Sequence, residues 1–204
     1  MARYTGPRSK VSRRFSMPIF GPSKSLDRKA YPPGQHGQRG RRKLSEYALA
    51  LAEKQKLRFI YGVMERQFRR YFREAIAKRG VTGDILMQML ETRLDNVVFR
   101  LGLATSRRMA RQMVNHGHIL VNGRRVSIAS FGVREGQVIE VADKARARQM
   151  ATKNLEASKM NPVPDWLTVD AAGFKGTVAR TPTREDMQPV VNEQLVVELY
   201  SRRV

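Results

Sequence analysis

The apolar positions of this chain change period several times, and the changes mark its elements. From residue 44 to 79 they repeat at helical spacing. Ser45 stands where an N-cap belongs, and Tyr47, Ala48 and Leu51 follow as one apolar stripe. A second helix carries Met64, Phe68, Tyr71, Phe72, Ala75 and Ile76 on one side and Arg66, Arg69, Arg70 and Arg73 on the other. Gly80 ends it, and a shorter helix begins over 84–90.

The span 92–141 is the most tightly patterned. Thr92 and Asp95 fit a capping box ahead of the stripe Leu94, Val97, Val98 and Leu101, which Gly102 closes. Thr105 or Ser106 caps a further helix whose inward face is Met109, Ala110, Met113 and Val114. Gly117 then reads as its left-handed stop. Residues 119–121 read as a strand, Asn122-Gly123 as a two-residue hairpin turn, 126–128 as the return strand and 138–141 as another strand. The first 43 residues follow neither period. Prolines at 7, 18, 22, 32 and 33 and glycines at 6, 21, 34, 37 and 40 punctuate them, which predicts an extended arm, disordered in isolation.

Charge changes the picture. The 204 residues carry 39 Lys and Arg against 18 Asp and Glu, a net charge of +21. Such a charge persists in a compact chain most easily beside a polyanion. The arm alone holds 12 basic residues and one acid, Asp27, whereas 160–204 holds 5 basic and 6 acidic residues. Between Asp95 and Glu135 lie 39 residues with no carboxylate and seven arginines. Ordinary surfaces mix both signs, so the gap predicts a face that meets phosphate.

Within that gap Arg107 and Arg108 open a helix, at the end where the dipole favours acids, and Arg111 follows one turn later. An anion docked there would meet free backbone N–H groups, the dipole and the guanidinium forks together. With the apolar face turned inward, the three arginines are expected to project as a set. Arg124 and Arg125, just past the hairpin turn, offer a second contact, and Asn115 and His116 join them. The stripe Arg66, Arg69, Arg70 and Arg73 reads either as a solvated face or as a further phosphate-facing one. The arm adds Arg3, Tyr4, Arg8, Lys10, Arg13, Arg14, Arg39, Arg41, Arg42 and Lys43 to the candidate RNA-binding set.

Other classes fall away. There is no cysteine, hence no disulfide framework and no thiolate zinc site. No apolar run approaches the roughly 20 residues that span a bilayer. The first residues lack a signal-peptide pattern, so the expectation is a soluble intracellular protein with no membrane partner. His116 and His118 lie two apart, but no third ligand is evident, and no metal is expected. Arg93-Leu94-Asp95 is similar to the Arg-Leu-Asp of pseudouridine synthases, but the Thr-Ser-Gly that follows there is missing and the capping box already accounts for Asp95. No catalytic residue and no cofactor is expected; the chain is not read as an enzyme.

Arg93-Leu-Asp-Asn-Val-Val-Phe-Arg-Leu-Gly through His116-Gly-His-Ile-Leu-Val-Asn-Gly-Arg-Arg-Val resembles the S-four RNA-binding domain. Met1-Ala-Arg-Tyr-Thr-Gly-Pro, Tyr31-Pro-Pro-Gly-Gln-His-Gly, Arg42-Lys-Leu-Ser-Glu-Tyr and Ile60-Tyr-Gly-Val-Met-Glu-Arg-Gln-Phe resemble the family of small-subunit ribosomal protein four. So do Pro164-Asp-Trp-Leu and Asn192-Glu-Gln-Leu-Val-Val-Glu-Leu-Tyr-Ser, making the likeness nearly end to end.

The resemblance implies an α+β fold. A helical domain, 44–92, would be completed by the C-terminal segment 176–204 and interrupted by an inserted domain, 93–175. The S-four unit, about 93–155, would pack two helices on a small, mostly antiparallel sheet, and the basic arm would be 1–43. Leu195, Val196 and Leu199 would bring the C-terminal helix back onto the helices of 44–92.

The resemblance also implies a structural protein that binds small-subunit ribosomal RNA directly at a multi-helix junction and nucleates subunit assembly. It would lie near the messenger entrance beside ribosomal proteins three and five, with a role in translational accuracy. Some members also repress translation of their own messenger RNA. The implied location is the cytoplasmic ribosome, with a plastid ribosome left open.

Two positions depart from the pattern. Many relatives hold zinc through cysteines in the arm, where this chain has Ser9-Lys10-Val11-Ser12; serine is a poor zinc ligand. Relatives often place proline where Ala129 stands, which loosens a loop. An RNA-modifying enzyme would need a further catalytic domain, for which the chain has no room. A free-standing RNA regulator is opposed by the likeness over the arm and C-terminus.

Overall fold

The computed structural model describes residues 4–39, 43–158, 162–187 and 191–201. The chain divides into two compact units, Met1–Gly83 with Pro189–Val204, and Asp84–Gln188.

The first unit begins with more regular structure than its pattern predicts. The arm folds two short helices, α1 (Arg8–Phe15) and α2 (Lys24–Arg28). Only Val11 and Ser12 of α1 are buried, so its support is tertiary. Tyr4, Phe15 and Phe20 gather round Phe59 with ring centroids 5.1, 6.2 and 6.3 Å away. Such pairs contribute about 0.5–1.5 kcal/mol each beyond their buried area. Arg13 donates to the carbonyls of Lys29, Tyr31 and Pro32 at 3.2, 3.1 and 3.2 Å, tying the segment together. The expectation of an extended arm is corrected: it forms two short helices, with aromatic contacts of long sequence separation beside them.

Ser45 caps α3 (Glu46–Tyr61) by accepting the Ala48 N–H at 3.3 Å. α4 (Glu65–Ile76) buries Phe68, Phe72 and Ala75 completely. Next comes α5 (Thr82–Glu91).

The second unit is built on α6 (Leu94–Arg100) and α7 (Arg107–Asn115) against a sheet. The expected capping box does not form. Arg93 takes the N-cap position of α6 without a side-chain cap. Instead the Leu94 and Asp95 N–H groups donate to the carbonyls of Phe131 and Ala129 at 2.8 and 3.1 Å. Thr92 Oγ1 donates back to the Gln88 carbonyl at 2.8 Å. A loop distant in sequence therefore satisfies the helix end, and the Asp95 carboxylate is left for other work.

β1 (Ile119–Val121) turns through Asn122 and Gly123, at φ 49° and 74°, into β2 (Arg124–Arg125). Two positive φ values in succession make the tight turn that matches strand twist, which Asn-Gly adopts at least cost. The return strand is thus the two residues directly after the turn, pairing Val121 with Arg124 and Leu120 with Arg125, and not 126–128. After one further bond, from the Val126 N–H to the Ile119 carbonyl at 3.3 Å, the chain leaves the ladder to reach the start of α6.

β3 (Val138–Val141) forms where the pattern predicts a strand, and it pairs with β1. α8 (Ala145–Ser158), β4 (Leu167–Asp170), β5 (Lys175–Val178) and α9 (Arg184–Met187) follow, none of them announced by the apolar pattern. The strand order is β2-β1-β3-β5-β4, with every pair antiparallel. Because β5 sits between β3 and β4, residues 175–178 are part of this unit, whereas the family resemblance implies that 176 onward completes the helical domain.

Leu94, Val97, Val98 and Leu101 fill the core with Met113, Val114, Ile119, Ile139 and Trp166. Gly176 lies so close to α6 that a Cβ there would stand 2.4 Å from the Leu101 side chain. Glycine is what lets strand and helix approach.

The chain ends with α10 (Glu193–Ser201), which lies against α3 and α4 of the first unit. Tyr200 stacks on Phe68 and Phe72 at 5.9 and 4.7 Å. Val196 and Leu199 are buried beside it.

Candidate nucleic-acid interface

Internal pairing sorts the cations of this chain. On α4 the aromatic face is buried, so Arg66, Arg69, Arg70 and Arg73 are all exposed. Arg70 meets Glu74 at 2.7 Å, one turn on, and Arg69 lies 3.7 Å from Glu65. Such exposed pairs on one helix are weak, and they leave the stripe open to a polyanion. Arg66 and Arg73 make no ion pair with a described residue.

Glu65 at the start of the same helix is engaged inward. Its carboxylate accepts from Lys54 at 2.9 Å and from the Tyr200 hydroxyl at 2.8 Å, with Arg58 at 3.1 Å. Burial works against its ionisation. The hydrogen bonds from Lys54 and Tyr200 and the charges of Lys54 and Arg58 outweigh it, so the carboxyl titrates below its ordinary range. Burial and the bond to Glu65 push the Tyr200 phenol well up.

In the second unit Ser106 caps α7, accepting the Met109 N–H at 3.3 Å. The three arginines of that helix diverge. Arg108 is exposed. Arg107 donates to Asn96 Oδ1 at 2.7 Å and lies over the Phe99 ring, 4.6 Å from its centroid. Arg111 turns back to Asp95 at 2.7 and 2.9 Å, with its side chain 14% exposed.

The same carboxylate binds Arg93 in two bonds of 3.0 and 2.8 Å, and that guanidinium is 2% exposed. Beside it Arg100 pairs with buried Glu91 at 2.7 Å, and Asn96 donates to Glu91 at 2.6 Å. The expectation that all three arginines project as a set is corrected for Arg111. The acid-free gap in sequence is not one in space, because helix packing returns Asp95 to a residue sixteen positions away.

Arg124 and Arg125 are exposed on β2, and Arg125 Nη2 reaches the His116 carbonyl at 3.4 Å. His116 is exposed and Asn115 half-buried at the end of α7. α8 adds what the sequence pattern did not indicate: Arg146, Gln149 and Lys153 line an open cleft with Asn115, His116, His118 and Arg125. Their i, i+3, i+7 spacing is the available signal, and it carries meaning only once the span is helical.

In the arm Arg8, Lys10, Arg14, Arg39 and Lys43 are exposed, while Tyr4 and Arg13 are engaged in the packing described above. Arg3, Arg41 and Arg42 lie outside the described residues. Among the described residues no cluster of three or more His, Asp or Glu is placed to hold a metal, and no helix is long and apolar enough to cross a membrane.

Residues 3–91 match the family described as Ribosomal protein S4/S9 N-terminal domain, and residues 92–139 match the S4 domain. The chain is 57% identical to the small ribosomal subunit protein uS4 of Akkermansia muciniphila, over 99% of this chain and 100% of the relative. The chain belongs to the uS4 family. Identity is 58% to the uS4 protein of Opitutus terrae and 52% to that of Thermus thermophilus, again over 99% of this chain and 100% of each relative. As a member of a ribosomal protein family, the chain is not an enzyme.

Proposed function

We propose that this uS4-family chain is a structural component of the cytoplasmic small ribosomal subunit and binds its ribosomal RNA directly through cations of both units. The observation that carries the reading is the Arg66, Arg69, Arg70 and Arg73 stripe. It lies exposed on a helix whose other side buries Phe68, Phe72 and Ala75, in a chain of net charge +21. Contacts of this kind meet phosphate and shape, and so supply affinity more than base specificity. Exposed Arg108, Arg124, Arg125 and the arm cations add to the same surface chemistry.

The finer roles rest on the family likeness. The chain nucleates assembly by binding early, lies near the messenger entrance beside ribosomal proteins three and five, and contributes to translational accuracy. Its affinity for structured RNA also suits binding to its own messenger.

The direct test is filter binding of the chain to transcribed small-subunit ribosomal RNA over a salt series. Replacing Arg66, Arg69 and Arg73 by alanine should flatten the log-affinity against log-salt slope by roughly 2–3 units, at about 0.7–0.9 per phosphate contact. An unchanged slope with the fold intact would remove α4 from the interface. Reconstitution of subunits without the chain should stall at an early, slowly sedimenting particle, and complete subunits formed in its absence would refute the assembly role.

A further inference from the structure

The sequence marks one wall of the second unit's cleft, Asn115, His116 and Arg125, but not the other, which α8 supplies. On α8, Arg146, Gln149 and Lys153 fall on one face, while Ala147 and Ala151 on the opposite face are fully buried. The buried Asn154 side chain donates to the Leu103 carbonyl at 2.9 Å and pins the helix to the core. The cleft's far wall is Arg125 of β2 with His116 and His118. Two separate elements thus hold cations toward one space, and no carboxylate of a described residue lines it.

The two cations of α8 there are also uncommitted. Arg148, on the same helix but outside the cleft, pairs with Asp143 at 3.1 Å. Arg146 and Lys153 have no ion pair with any described residue. His118 Nδ1 is buried without a hydrogen-bond partner. A buried polar atom left unsatisfied costs free energy, and so do like charges gathered without counter-charge. The second penalty is relieved by an anion with several acceptor oxygens. Arg146 and Lys153 stand seven residues apart, about 10 Å along the helix, which suits successive groups of a strand better than one small ion.

We propose that this cleft is a second phosphate-backbone site of the chain. Arg125, Arg146 and Lys153 contact phosphates of an RNA strand, and Gln149 hydrogen-bonds its sugar or phosphate oxygens. The proposal rests on the reading that the chain binds ribosomal RNA, and it shifts the weight of the second unit's contact from the start of α7 to its end.

The test uses the full chain and transcribed small-subunit ribosomal RNA. Both α8 side chains are exposed, so the double variant R146A/K153A should melt as the wild type does. Its affinity should fall, and its salt slope should flatten by about 1.4–1.8 units for two lost contacts. Wild-type affinity and slope in the double variant would overturn the cleft site and leave the proposed function standing. A wild-type chain that fails to bind this RNA would overturn both.

The chain has no cysteine, so Lys153→Cys gives a single attachment point for a tethered iron chelate. Cleavage of the bound RNA beside that point is the expected result. No cleavage in a variant that still binds would place the strand elsewhere and sink the proposal.

Discussion

Replacing Asp95 by asparagine removes one charge from the centre of the second unit and almost nothing of its shape. The side chain is 3% exposed and holds two guanidiniums, Arg93 at 2% and Arg111 at 14% exposure. Asparagine removes the charge that both guanidiniums share, and its amide presents a donor where the Arg93 Nε or Nη2 also donates. Breaking a buried pair from one side costs about 3–5 kcal/mol. Against a typical domain stability of about 5–15 kcal/mol, that is a large fraction. It corresponds to a melting temperature lower by more than about 12 °C for a unit of this size.

Trp166 is the one tryptophan in the chain and lies 1% exposed in this unit's core, so its fluorescence reports the second unit alone. Urea denaturation followed at that residue should show a lower midpoint with an unchanged slope. Arg108→Ala, at an exposed position, should stay within about 0.5 kcal/mol of wild type. A loss below about 1 kcal/mol in the Asp95→Asn variant would refute the claim that this network welds α6 to α7. It would return Arg111 to the set of outward-facing arginines.

Gly176→Ala should destabilise the same unit by about 1–3 kcal/mol, the usual range for overpacking, since Leu101 is itself buried and cannot retreat; wild-type stability at Trp166 would contradict that close approach. Glu65 titrates below its ordinary range in the folded chain, so its contribution is present above the unfolded value near 4.3 and is lost as pH falls through the folded one. Glu65→Gln should therefore weaken the first unit at neutral pH and flatten its acid limb, and parallel acid limbs would refute the assignment. Burial, with the charges of His116, Lys144 and Arg125, holds the His118 imidazole below its usual range. Its folded form thus loses stability as pH falls below about 6.5. Bound phosphates should raise that titration, and an NMR titration of His118 that is the same with and without RNA would count against an occupied cleft.

Much of the fold is legible where one helix or one turn contains its own explanation. Ser45 and Ser106 precede apolar stripes and do cap them, and the α4 stripe divides cleanly into aromatic and arginine faces. Asn122-Gly123 forms its turn because both residues tolerate positive φ.

What escaped depends on partners distant in sequence. β5 reads Lys-Gly-Thr-Val, with one large apolar residue, and exists because β3 and β4 pair on its two edges. α1 has little apolar surface and is held by rings around Phe59. Thr92 and Asp95 satisfy the capping-box pattern, yet the Ala129 and Phe131 carbonyls reach the helix end first. The same limit governs the site. Sequence gives the density of arginines but not which carboxylates packing will bring to them, so Arg111 and Arg13 looked alike to Arg108 and Arg14 until their partners were in view.

The central claim is that cations left exposed after internal pairing are the ones that hold small-subunit ribosomal RNA. Cross-linking of the chain within purified small subunits, read at both peptide and nucleotide level, tests it most directly. The account predicts RNA-linked peptides from residues 66–73, 108 and 124–125, and from 146–153, with none from the buried Arg93 and Arg111 side chains. Cross-links confined to the near-neutral segment 162–187, or no ribosomal RNA cross-link at all, would contradict it.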